Sequence, residues 1–118
     1  MKQEAYSLDE SRRAIVLAAV QDACAHRQWT LAAAHVRTNH VHCVIDAPRE
    51  PEFVLNVCKA RASRALNEAG LDTPDRRRWS RHGSTRYLWS RDNVARAIDY
   101  VVEQQGRELS LYVNPQPF

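Results

Sequence analysis

The chain has 118 residues, of which 44% are hydrophobic and 26% charged, and carries a formal net charge of +3. Length and composition together describe one globular domain over residues 1–118, large enough to bury a core without staples. No membrane-spanning or exported segment is expected, because the apolar run Ala14–Val20 is only seven residues long and Met1–Asp9 lacks the apolar stretch of a signal peptide. The expected location is a bacterial cytoplasm. Cys24, Cys43 and Cys58 lie in apolar contexts without Cys-x-x-Cys spacing, which predicts reduced, buried thiols rather than a zinc site.

The first element opens at Ser7-Leu8-Asp9-Glu10, a capping-box pattern in which Ser7 caps the free amides and Glu10 reaches back to the Ser7 amide. The helix is expected to run to about Arg27, and its apolar run implies a nearly surrounded position. Two strands follow, about Thr30–Val36 and His40–Asp46, joined by Arg37-Thr38-Asn39 as an antiparallel hairpin. Ala47-Pro48 ends the second strand. Pro51 suits the first turn of a helix running to Ala69, with Gly70 as its stop.

Leu71–Ser84 is polar and arginine-rich and reads as a loop. A short strand is expected at about Thr85–Trp89, then a last helix capped within Ser90–Asn93 and ending at Gly106. The core spans about residues 7–106, and the tail 107–118 is expected to be irregular. The resulting order is helix, strand, strand, helix, strand, helix: an α+β domain with an antiparallel sheet covered by helices.

Charge is unevenly distributed. Fifteen of the seventeen cationic residues are arginines, and residues 76–91 contain six of them with no acid. Arg76, Arg77, Arg78, Arg81, Arg86 and Arg91 are interleaved with Trp79, Tyr87 and Trp89. Guanidinium groups fork onto phosphate oxygens and aromatic faces stack on unpaired bases, so the segment suits single-stranded nucleic acid. The alternative is a solvated basic loop. A membrane surface is disfavoured, since no basic amphipathic helix is present.

His40 and His42 flank Val41 in an apolar, β-branched run. On a strand, Val41, Cys43 and Ile45 face one way and His40, His42 and Val44 the other, so the two imidazoles can share one metal ion. Histidines that only hydrogen-bond at a sheet surface would look the same. In the last helix, Val94, Ala97, Ile98 and Val101 form the apolar stripe. Tyr100 lies roughly 110° from the centre of that stripe, with Gln104 on the same face and nearer the border. A tyrosine half-buried on the sheet is the alternative for Tyr100. Two imidazoles, an amide oxygen and a phenol are the parts for metal-assisted attack of tyrosine on a phosphodiester. The resulting protein–DNA ester keeps the energy of the broken bond, so rejoining needs no nucleotide cofactor. The chain accordingly has no Gly-x-x-x-x-Gly-Lys-[Ser/Thr] sequence.

At these residues the chain resembles the HUH single-tyrosine transposases, the insertion-sequence-200-like and REP-associated group. His40-Val41-His42 matches the HUH motif and Tyr100-Val-Val-Glu-Gln104 the nucleophile helix, and the resemblance covers about residues 7–106. It implies a ferredoxin-like domain, Mg²⁺ or Mn²⁺ held by His40, His42 and Gln104, Tyr100 as nucleophile, and single-stranded or hairpin DNA as substrate. It also implies a homodimer, nucleoid-associated when bound to DNA. Such proteins generally open with a strand that becomes central in the sheet; Met1–Tyr6 does not read as one, so that strand is expected to be missing. The competing function is a domesticated or truncated non-catalytic single-stranded DNA-binding protein of the same fold. A third class is a phosphoesterase that uses water in place of Tyr100. Asp46 could assist the metal, although strand-end turn chemistry explains it as well. Lys59 and Ser63 share a helix face that could touch DNA or simply be solvated.

Overall fold

A computed structural model describes residues 6–79, 95–99, 101 and 110–115. Their order is α1 (Glu10–His26), β1 (Thr30–Val36), β2 (Val41–Asp46), α2 (Pro51–Glu68) and β3 (Ser110–Val113), with residues 95–99 and 101 also helical. The three strands form one antiparallel sheet in the order β2-β1-β3. The α+β class read from the sequence is therefore the observed one.

Helix α1 is capped by Asp9 rather than Ser7. Leu8 is buried, and its amide donates to the Thr38 carbonyl at 2.6 Å, which ties this stretch to the hairpin turn. Asp9 is extended, and its Oδ1 accepts from the Arg12 amide at 2.9 Å. An aspartate cap thus replaces the expected capping box. The helix is also one-sided, not surrounded: Val16, Ala19, Val20, Ala23 and Cys24 are buried, whereas Ala14, Ala18 and Ala25 are exposed. Its end is a Schellman motif, with the Trp29 amide on the Cys24 carbonyl at 2.8 Å and the Gln28 amide on the Ala25 carbonyl at 3.2 Å. Gln28 occupies the left-handed position, at φ 60°.

Helix α2 starts at Pro51 and buries Val54, Cys58, Ala62 and Leu66, a spacing of four that keeps one face inward. Gly70 follows its end at φ 71°, the conformation that glycine adopts most cheaply. Together α1 and α2 cover one face of the sheet, where Leu31, Ala34 and Val36 join Leu66, Val16 and Trp29 in the main core. Cys24 and Cys58 are free thiols inside that core, but Cys43 is exposed, contrary to expectation.

The central strand β1 is buried throughout Leu31–Val36. Its register with β2 shifts between Leu31 and Ala33, so Ala32 and Ala33 both belong to a second apolar cluster on the opposite face, with Val44, Val101, Ala97 and Ile98. Asn114 supports the bulge: its amide donates to the Ala32 carbonyl at 2.8 Å and its side chain to the Leu31 carbonyl at 3.2 Å.

Strand β3 overturns part of the expected irregular tail. Ser110–Val113 pairs with Ala33–Val36, placing Tyr112 against the main core. Four residues of β-forming sequence become a strand because β1 offers them a free edge. Among the described residues no strand precedes α1, and none lies on the outer side of β2. The strand expected at Thr85–Trp89 lies outside the described residues.

Candidate active site

The hairpin ladder builds the site. Val41 and Ile45 of β2 pack into the main core, while Val44 belongs to the opposite cluster, so the alternation read from the sequence holds. His42 shares the face of Val44. His40, one residue before the strand begins, comes to the same side: the two rings lie edge to face with centroids 4.6 Å apart and planes at 89°. Asn39 orients His40, whose Nδ1–H donates to Asn39 Oδ1 at 2.5 Å. In the neutral ring that bond puts the proton on Nδ1 and leaves the lone pair on Nε2, the form a metal ligand requires. His42 is half-buried, with a buried Nε2.

Two neighbouring imidazoles are nitrogen donors of the type divalent transition metals accept. Among the described residues they form no cluster with a third histidine, cysteine, aspartate or glutamate. Asp46 lies four residues beyond His42, about 13 Å along a strand. It ends the strand opposite Thr30.

Across the ladder from His42 stands His35, fully buried on β1. Its Nδ1–H donates to the Val101 carbonyl at 3.1 Å. With Ala97, Ile98 and Val101 packed on Ala32, Ala33 and Val44, this bond lays the helical residues 95–99 and 101 over the histidine face. Three members of the expected stripe thus form the side turned to the sheet. Tyr100 and Gln104 lie outside the described residues. His35 was missed in the sequence because a histidine within Leu-Ala-Ala-Ala-His-Val carries no spacing signal; only its total burial singles it out.

The basic segment divides. Arg78 is sealed in, its side chain 2% exposed, with Nε 3.3 Å from Asp72 Oδ2 and Nη2 donating to Asn67 Oδ1 at 2.6 Å. Trp79 Nε1 donates to Ser63 Oγ at 2.7 Å and packs against the main core, which also accounts for Ser63. Arg12 Nη2 approaches Asp72 Oδ1 at 3.0 Å, and the Tyr6 hydroxyl donates to Asp72 Oδ2 at 2.6 Å. Burial pushes the Asp72 carboxyl up, but hydrogen bonds from Arg12, Tyr6 and Arg78 outweigh it and hold the group below its ordinary range. Burial, then the Asp72 contact, raise the Tyr6 phenol. Arg77, by contrast, is exposed, and Arg76 lies over the Tyr6 ring at 5.1 Å. Arg81, Arg86, Tyr87, Trp89 and Arg91 lie outside the described residues.

A family model described as "Transposase IS200 like" matches residues 1–109. The chain belongs to the IS200-like transposase family. Its role is accordingly of transposase type, and its partner is DNA. The span matched in this IS200-like transposase takes in the histidine hairpin, the basic segment and residues 100–104; β3 lies just beyond it. Comparison with curated proteins and with solved structures gave no match. Among the described residues of the transposase, no helix is long and apolar enough to cross a membrane.

Proposed function

We propose that this transposase nicks and rejoins single-stranded DNA through a covalent tyrosine–DNA intermediate, on a ferredoxin-like HUH domain that works as a homodimer. The observation that carries the reading is the histidine pair on the sheet face over which the helical residues flanking position 100 are laid. His40, His42 and Gln104 would hold Mg²⁺ or Mn²⁺, which when bound would offset negative charge on the scissile phosphate. Tyr100 supplies the nucleophile. Its oxygen forms a bond to phosphorus, the bond from phosphorus to the 3′ oxygen breaks, and the phenolic proton leaves while the 3′ oxygen gains one. Reversal by another 3′-hydroxyl rejoins a strand and restores the tyrosine.

The basic segment holds the DNA. Asp72, Asn67 and Ser63 anchor it through Arg78 and Trp79, whereas Arg76, Arg77, Arg81, Arg86 and Arg91 contact phosphates and Tyr87 and Trp89 stack on unpaired bases. The test is incubation with Mn²⁺ and labelled hairpin oligonucleotides. A denaturation-resistant protein–DNA adduct is expected, absent in Tyr100→Phe. Hairpin binding without any adduct would favour a non-catalytic binding protein, and metal-dependent cleavage surviving Tyr100→Phe would favour attack by water.

A further inference from the structure

We propose that His35 is a positioning residue for strand cleavage: its Nδ1–H bond to the Val101 carbonyl fixes the main chain beside Tyr100 over the His40–His42 face. The proposal rests on Tyr100 being the nucleophile. His35 is 0% exposed at the centre of the sheet, with His42 as its neighbour on β2 and Leu111 as its neighbour on β3. A carbonyl can only accept, so the proton of a neutral ring sits on Nδ1. Small residues make the contact possible. Ala32, Ala33 and Ala97 bring the helical segment close enough for an imidazole to reach main chain rather than another side chain.

That distinction gives the bond its consequence. Apolar contacts between Ile98, Val101 and the sheet resist separation but tolerate sliding and rotation, because hydrophobic attraction has no direction. A hydrogen bond to a backbone carbonyl has distance and angle requirements and no rotamer freedom at the acceptor. It therefore selects one rotation and one height of the segment. Tyr100 stands in sequence between the helical residues Asp99 and Val101, one peptide unit from the bonded carbonyl. A displacement of about 1 Å at a reacting atom can cost on the order of 10²-fold in rate. β1, paired on both sides and buried through Leu31–Val36, supplies the reference point from the centre of the sheet.

The test compares His35→Asn, whose amide can donate from near the Nδ1 position, with His35→Gln, whose amide reaches toward Nε2, and with His35→Leu, which has no donor. Hairpin affinity, Mn²⁺ affinity and the single-turnover rate of adduct formation are measured well below each melting temperature. Hydrogen exchange across residues 95–101 and across α2 is followed in parallel. Expected are adduct rates lowered about 10- to 100-fold in His35→Leu and His35→Gln, recovered to within several-fold of wild type in His35→Asn. Hairpin and Mn²⁺ affinities should stay within about threefold, and protection should fall at residues 95–101 but not in α2. If Leu does not fold, the Asn–Gln contrast decides alone. Equal rates in all folded variants, or losses that follow melting temperature without regard to the donor, would overturn the proposal. Should wild type form no adduct, the nucleophile reading fails, while unchanged protection at residues 95–101 in His35→Gln would separately overturn the clamp.

Discussion

Arg78 and Asp72 form an ion pair, 3.3 Å between Nε and Oδ2, that is closed off from solvent at the base of the basic segment. Arg12 of α1 and Tyr6, which precedes that helix, converge on the same carboxylate. One carboxylate therefore ties the chain start, α1 and the opening of the basic segment together.

Replacing Asp72 with Asn should destabilise the protein by about 3 kcal/mol at neutral pH, since it strands the buried Arg78 guanidinium. The carboxyl is held below its ordinary value of 3.8 in the folded state, so its contribution is complete above that value and fades as pH falls through the lower folded one. Denaturant titrations of both proteins should show a gap that narrows on acidification below about pH 4. A gap independent of pH would mean that the charge plays no part.

Gln28 should be improvable. As an L-residue at φ 60°, it bears a steric cost that glycine avoids. Gln28→Gly should add about 0.5–1 kcal/mol, a rise of a few degrees in melting temperature, measured by calorimetry. A lower melting temperature would show that the glutamine side chain contributes more than the strain costs.

Neighbouring arginines should behave in opposite ways. The double change Arg76→Ala and Arg77→Ala should weaken binding to single-stranded DNA and leave the melting temperature within a degree or two. The salt slope should fall by about 0.7 for each phosphate that is no longer neutralised. Arg78→Ala should chiefly lower stability, because it breaks the pair with Asp72 and the bond to Asn67. Salt titrations of hairpin binding beside thermal melts separate the two; an unchanged slope in the double variant would mean that Arg76 and Arg77 neutralise no phosphate.

Asn39 gives a test of the histidine pair that leaves both imidazoles in place. Removing its carbonyl in Asn39→Ala frees the His40 ring, and Mn²⁺ affinity should fall about tenfold. His40→Ala and His42→Ala should each abolish detectable binding in the same calorimetric titration. Undiminished Mn²⁺ binding in His42→Ala would place the cation elsewhere.

What the sequence determined by itself is what depends on near neighbours. The bounds of β1, the alternation that puts His40, His42 and Val44 on one face, Pro51 at the start of α2 and Gly70 after its end all follow from local geometry. Period-two pleating and backbone preference act over a few residues, and a few residues reveal them. The tertiary structure decided the rest. Asp9 displaced Ser7 as cap because Leu8 bonds to Thr38 in a distant turn. Ser110–Val113 became a strand because β1 had an edge to pair. Arg78 parted from Arg76 and Arg77, identical in composition, because Asp72 and Asn67 stand beside it in space. His35 gained its partner at Val101 in the same way. Three of these contacts join groups 30 or more residues apart and the Arg78 pair crosses the turn after α2; all take their energy from burial and pairing that only the closed fold creates.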